Sequence, residues 1–204
     1  MSKKKQKSKV REYAETIIIA LVIALFVRSF VVQAFKIPSS SMEPALLVGD
    51  HILVNKFIYG IRVPVIGKKL SPFTQPRRGD VIVFIFPKDR SKDFIKRVIG
   101  LPGDKVEVKG REIYINDRSI EDPWGVYSMG SPSDSRNYGP EVVPSGSLFV
   151  MGDNRDNSED SRYWGFVPLD DVLGKAFIMY WSWDWRASSL VSKVRWERIG
   201  RLIR

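Results

Sequence analysis

Three stretches of this chain carry groups able to do chemistry. The first is Pro38-Ser39-Ser40-Ser41-Met42-Glu43-Pro44, three hydroxyls in a row behind a proline. The second is Asp93-Phe94-Ile95-Lys96-Arg97-Val98-Ile99-Gly100-Leu101-Pro102-Gly103-Asp104, in which the amine of Lys96 lies among apolar residues. The third, Gly152-Asp153-Asn154-Arg155-Asp156-Asn157-Ser158-Glu159-Asp160-Ser161-Arg162-Tyr163-Trp164-Gly165, is dense in carboxylates, guanidinium groups and hydroxyls. A serine hydroxyl becomes a useful nucleophile when a neighbouring base takes its proton. A lysine is such a base only as a neutral amine, and its free pKa is ~10.4. Burial among apolar groups lowers that value, and Phe94, Ile95, Val98 and Ile99 flank Lys96. Lowering it by roughly two to three pH units corresponds to ~3–4 kcal/mol of differential solvation. Each stretch alone has a plainer reading: a polar linker, a solvated strand face, a charged turn. Ser41 and Lys96 are 55 residues apart, and local pattern does not bring them together.

Other chemistries have less to work with. There is no cysteine, which excludes disulfides, thiol catalysis and thiolate metal sites. The single histidine, His51, is too little for a zinc site, so no metal and no cofactor is expected. His51 follows Asp50 and invites a Ser-His-Asp reading, but it sits in an apolar run that reads as a strand and is not expected to be catalytic. Arg78-Gly79-Asp80 matches an adhesion tripeptide by letter and reads as a turn before a strand.

The net charge of +10 is placed at the two ends. Residues 1–11 hold six basic groups, and residues 186–204 hold six more against the single acid Glu197. The remaining residues carry 21 basic and 22 acidic groups, so the body is near neutral. Anionic lipid is the expected partner of such tails, and nucleic acid is not.

The elements that must position these groups follow a basic, then apolar, start. Ile17 to Phe35 supplies 19 mostly apolar residues, interrupted by Arg28; a membrane span needs ~20. The shape alone fits a single-pass anchor or a cleavable signal peptide, with Val32-Gln33-Ala34 resembling a cleavage site. Either way the basic cluster Lys3–Arg11 is expected to stay in the cytoplasm and the rest to lie outside. Beyond it, short runs read as strands: His51–Val54, Asp80–Phe86, Lys105–Lys109 with Glu112–Ile115 as a hairpin, Leu148–Met151 and Ala176–Trp181. These predict a mostly antiparallel β-domain. Residues 60–79 and 121–146, rich in proline and glycine, read as excursions, the second as a cap or flexible loop. Trp181, Trp183 and Trp185 alternate, so a strand would present three indoles on one face, toward the core or toward lipid. Residues 190–204 mix apolar residues with arginines and suggest a basic helix on a lipid surface.

Taken together, the three motifs in this order, with Arg78-Gly79-Asp80-Val81-Ile82-Val83-Phe84 between them and an anchor ahead, resemble the type I signal peptidases (leader peptidases) of bacteria. The resemblance runs from about residue 15 to 184. It implies an antiparallel β-sheet catalytic domain, of the kind also used by self-cleaving repressors, behind one N-terminal transmembrane helix. It implies a serine endopeptidase that removes signal peptides from exported preproteins, with Ser41 as nucleophile and Lys96 as general base. Ser39 would assist the oxyanion, Ser158 would orient the lysine, and Asp153, Asp160 and Arg162 would brace the site. Ile37, Val83, Asp93 and Ile95 match positions lining the substrate groove, which would take small side chains. Ala45 departs from the threonine more usual there. The expected layout is a cytoplasmic tail over 1–12, a transmembrane helix over 13–35, an extracytoplasmic catalytic domain over 36–185 and a basic tail over 186–204, acting as a monomer in the cell membrane. Self-cleavage after Ala34 is a further expectation.

Overall fold

A computed structural model describes residues 9–27, 31–60, 74–128 and 137–204. The strands form two antiparallel sheets. The larger has seven strands in the order β1-β2-β11-β3-β4-β9-β10. Its members are β1 (Val32–Lys36), β2 (Asp50–Asn55), β3 (Val81–Ile85), β4 (Asp93–Gly100), β9 (Ser147–Met151), β10 (Val167–Pro168) and β11 (Val172–Ser182). The smaller has the order β7-β6-β5-β8, from β5 (Lys105–Lys109), β6 (Glu112–Ile115), β7 (Arg118–Ile120) and β8 (Tyr138–Val142). All six strand runs expected from sequence are present, and the β5–β6 hairpin closes with Lys109 opposite Glu112. The β6–β7 turn places Asn116 and Asp117 at φ 52° and 66°. These are residue types that tolerate the left-handed region a tight hairpin needs.

The strands are built from β-branched and aromatic residues and bury alternate or successive positions. β2 alternates buried and half-buried along Asp50–Asn55. β3 and β4 lie in mid-sheet and bury nearly every residue of Val81–Phe84 and Ile95–Gly100, as strands covered on both faces do. One core cluster gathers Ile37, Met42, Leu46, Val83, Ile95 and Met179. A second gathers Ile82, Phe84, Val98 and Val150, with Phe94 and Trp164 against it. The third joins β9 to the small sheet through Val106, Ile113 and Phe149.

Three sequence expectations need correction. The helix α1 spans Lys9–Phe26, and the apolar letters Val32 to Phe35 belong to a strand, not to a helix. Val32–Lys36 is an edge strand paired with Asn55–His51, and Phe35 packs on the core. Among the described residues no helix is long and apolar enough to cross a membrane. Arg28 lies outside the described residues. Ala34 is held opposite Leu53, so a cut after it requires this edge to unpair. The second correction concerns residues 121–146, which are not all excursion: Tyr138–Val142 adds to β5 as the edge of the small sheet. Residues 61–73 and 129–136, within the two excursions, lie outside the described residues.

The third correction concerns the basic tail. Only Leu190–Lys193 is α-helical (α3), capped by Ser189, with a 3-10 turn at Trp196–Arg198. The rest returns along β11, with Met179 N–H donating to Arg201 O at 3.0 Å, Gly200 N–H to Met179 O at 2.8 Å and Ile203 N–H to Phe177 O at 3.0 Å. Its arginines are partly spent on this docking. Arg198 donates to both carboxylate oxygens of buried Asp50, closest at 2.6 Å, and to Ala45 O at 2.9 Å. Of the three alternating indoles only Trp181 lies in the strand. It meets Trp196 at 6.2 Å between ring centres, while Trp183 meets Trp185 at 5.8 Å.

Candidate active site

The loop from β1 to β2 carries the triple serine, and local packing fixes it. Ile37 N–H donates to Asp50 O at 2.8 Å and Gly49 N–H to Ile37 O at 3.0 Å, closing the loop at its base. Met42 and Leu46 are fully buried and pin its middle in the core. With Met42 turned inward, the preceding Ser41 sits at the loop's inner surface, 7% exposed.

Lys96 reaches this serine from mid-sheet. It lies in β4 opposite Ile82 of β3, on the same face as Phe94 and Val98 by strand alternation. Its Nζ is 5.5 Å from the centre of the Phe94 ring and donates to Ser41 Oγ at 2.7 Å. The lysine is 4% exposed. Burial pushes its pKa down to about 8, against the pull of Asp160, Asp153 and Glu159. A strand position that would ordinarily be solvated is here a covered amine beside a hydroxyl.

The third stretch wraps this pair. Gly152 begins it, and a side chain there would collide with Ser158 Oγ and the Ser41 carbonyl. Asp153 forms a two-pronged ion pair with Arg97, both contacts at 2.7 Å and both residues buried. Asp160 accepts from Gly152 N–H at 3.0 Å and caps the short helix α2 (Ser161–Trp164). It also pairs with Arg162 through two contacts of 2.8 Å. Arg162 in turn donates to Arg155 O at 2.6 Å. Charges this deep are tolerable because each carboxylate meets a forked guanidinium, and Asp160 meets backbone donors as well.

The remaining expected residues fall around this centre with varied roles. Ser39 is exposed, its Oγ 3.4 Å from Ser41 Oγ. Ile37, Val83 and Ile95 meet in one core cluster beside the pair. Asp93 stands at the exposed start of β4, its carboxyl pushed up by partial burial. Ser158 differs from expectation. It is buried, but its Oγ has no hydrogen-bond partner among the described residues, so it does not hold the Lys96 amine here. Lys96 aims its bond at Ser41 instead. His51 packs edge-on to Tyr180 at 5.9 Å, and burial and Lys36 lower its pKa. Asp50 is engaged by Ser182 at 2.6 Å and by Arg198. Neither serves Ser41. Among the described residues no metal-binding cluster is present.

Several participants lacked an isolated sequence signal. Arg97 was only the neighbour of Lys96, yet it binds Asp153 and stacks on Trp124 at 4.8 Å. Asn154 donates its N–H to Ser41 O at 3.1 Å and its side-chain amide to Ser40 O at 3.2 Å. Arg155 pairs with Asp122, ties to Gly152 O at 3.0 Å, and is 1% exposed. The arginine-rich density of residues 152–165 was the available clue.

A family profile described as "Signal peptidase, peptidase S26" matches residues 10–181. The chain belongs to the signal peptidase family. It is 42% identical to signal peptidase I of Pseudomonas fluorescens, over 84% of this chain and 72% of that one. It is 36% identical to signal peptidase I of Aquifex aeolicus, over 84% of both chains. A crystal structure of a signal peptidase I from Enterococcus faecalis is 34% identical, covers 50% of this chain and 97% of its own, and superposes with a TM-score of 0.44. The chain's enzymatic class is signal peptidase I, and its substrates are preproteins bearing signal peptides.

Proposed function

We propose that this enzyme works at a membrane by a Ser41–Lys96 dyad. The observation that carries the proposal is the 2.7 Å contact between Lys96 Nζ and Ser41 Oγ inside a buried pocket. The neutral amine takes the hydroxyl proton as Ser41 Oγ attacks the scissile carbonyl. The oxyanion forms beside the Ser41 N–H and the Ser39 hydroxyl, where preorganised donors are worth about 3–4 kcal/mol. The lysine ammonium then protonates the leaving amine, which departs as the mature N-terminus. Water, deprotonated by the same amine, hydrolyses the acyl ester on Ser41. Ile37, Val83 and Ile95, which share one apolar cluster, with Asp93 two residues before Ile95 in β4, would contact the small residues before the cut. Asp153, Asp160 and Arg162 brace the loop that faces the dyad.

Membrane anchoring is supported by α1, in which Ile17, Ile18, Ile19, Leu21, Val22, Ile23 and Leu25 are all more than half exposed. A helix apolar on every side belongs in lipid or against a partner. The basic cluster Lys3–Arg11 favours a cytoplasmic N-terminus, with the catalytic domain on the other side. The test is cleavage of an exported preprotein by full-length protein in detergent. Ser41→Ala and Lys96→Ala are each expected to abolish it; normal turnover by either sinks the dyad.

A further inference from the structure

The substrate groove proposed above accounts for the residues before the scissile bond. A second depression, of about 700 Å³, opens on the outer side of the nucleophile loop. Its floor includes Ser39, Ser40, Asn154 and Asn157. None of the residues lining it comes from β3 or β4. Ile37, Val83, Asp93 and Ile95 are likewise absent from it. It borders the nucleophile loop through Ser39 and Ser40 and shares no lining residue with the Ile37–Val83–Ile95 cluster.

Their chemistry also differs. The Ile37–Val83–Ile95 side is apolar and packed into the core. The second depression is lined largely by hydroxyl, amide and charged groups, and its size is that of a pocket able to hold a short peptide segment. Apolar small residues on one side and hydrated chain on the other is the division a cut between a signal peptide and a mature protein requires. Asp184 is already paired with Arg195 at 3.2 Å. Glu43 and Arg186 also line the depression; Arg186 donates its backbone N–H to Asp184 at 2.9 Å, and its charge helps to lower that carboxyl's pKa, while its guanidinium is exposed. Glu43 lies two residues beyond Ser41, while Arg186 stands farther out beside the exposed Trp185.

We propose that this polar depression binds the first residues of the mature chain, with Arg186 favouring acidic and Glu43 favouring basic side chains there. The proposal rests on Ser41 being the nucleophile. It predicts a charge preference after the cut that the groove before the cut does not supply.

The experiment uses full-length protein in detergent and paired peptide substrates. They share one signal-peptide half and differ by Asp or Lys at the second to fourth residues after the cut. The readout is the Asp-to-Lys ratio of kcat/KM, which is independent of the fraction of active enzyme. Arg186→Glu is expected to lower that ratio about two- to tenfold, the range set by reversing an exposed charge contact, and Glu43→Lys to raise it. A ratio unmoved in both variants overturns the proposal. So does a loss that appears only with anionic vesicles and is equal for both substrates, which would make the surface a lipid contact. Failure of the dyad itself reads differently: Ser41→Ala would then cleave both substrates while the ratio still responded to Arg186→Glu.

Discussion

Replacing Lys96 with methionine is expected to abolish cleavage while making the protein more stable at neutral pH. Burial lowers the amine from its ordinary 10.5 to about 8. Below pH 8 the amine is charged both in the folded and in the unfolded chain, so the folded state bears the full cost of a buried cation. That difference is about 3 kcal/mol. Methionine has similar bulk and no charge to desolvate, but it leaves Ser41 Oγ without the 2.7 Å donor, a loss of about 1 kcal/mol. The net gain at pH 7 is about 2 kcal/mol. The sign reverses with pH in a defined window. Between pH 8 and 10.5 the unfolded amine keeps a proton that the folded one has released, so wild-type stability rises with pH. The advantage of Lys96→Met should therefore be constant below pH 8, shrink above it, vanish near about pH 9.5 and become a deficit of about 1 kcal/mol by about pH 10.5. Denaturant unfolding of both proteins in the same detergent, at pH 7, 8, 9 and 10, measures it. A methionine variant no more stable at pH 7, or one whose advantage is the same at pH 7 and pH 10, refutes a desolvated lysine.

The wild-type kcat/KM should rise about tenfold from pH 7 to pH 9, as the neutral fraction of a base with pKa near 8 grows from about one tenth to nine tenths; a midpoint above 10 would mean an ordinary lysine. Arg97→Met strands the buried carboxylate of Asp153 and should destabilise the fold by about 3–5 kcal/mol, with Arg97→Met/Asp153→Leu recovering part of the loss in the same unfolding assay. Gly152→Ala pushes a methyl against Ser158 Oγ and the Ser41 carbonyl; a displaced nucleophile should lower kcat by about a hundredfold, and unchanged kcat would show that the loop yields freely. His51→Ala should retain cleavage of the preprotein, because His51 packs on Tyr180 and does not approach the dyad; inactivity with the fold intact would revive a histidine base.

Legibility in the sequence followed how local each feature is. Strands such as Asp50–Asn55 and the Lys105–Ile115 hairpin announce themselves by alternation and turn residues within a few positions. Tyr138–Val142 did not, since a strand containing Gly139 and Pro140 is tolerated only at a sheet edge, and edges are set by the fold. The apolar run from Ile17 to Phe35 was legible as apolar, but not as helix followed by strand. Valine, alanine and phenylalanine suit either environment, and the pairing of Val32–Lys36 with β2 depends on residues 51–55. The dyad's residues were named from motif order, whereas their 2.7 Å approach depends on contacts spread over the chain. Arg97, Asn154 and Arg155 were overlooked for the same reason: their partners Asp153, Ser41 and Asp122 are distant or lie across turns. The arginines of the tail misled because charge on a sequence reads as surface, and Arg198 is in fact spent inside, on Asp50.

The arrangement answers how the pKa of a lysine falls to about 8 beside so many acids. Asp160, Asp153 and Glu159 all favour the ammonium form, and left alone they would hold Lys96 near an ordinary amine. Two of the three are neutralised within a hydrogen bond's length: Asp153 by Arg97, Asp160 by Arg162. The carboxylates can then serve as mechanical anchors, gripping Gly152 N–H and the end of β9, without setting the protonation state of the base. What remains dominant is the apolar cover from β3 and β4, with Phe94 against the amine. The arginines are thus part of the mechanism although none of them touches Ser41: they let the fold use charge to position the nucleophile loop while keeping charge from deciding the lysine's pKa.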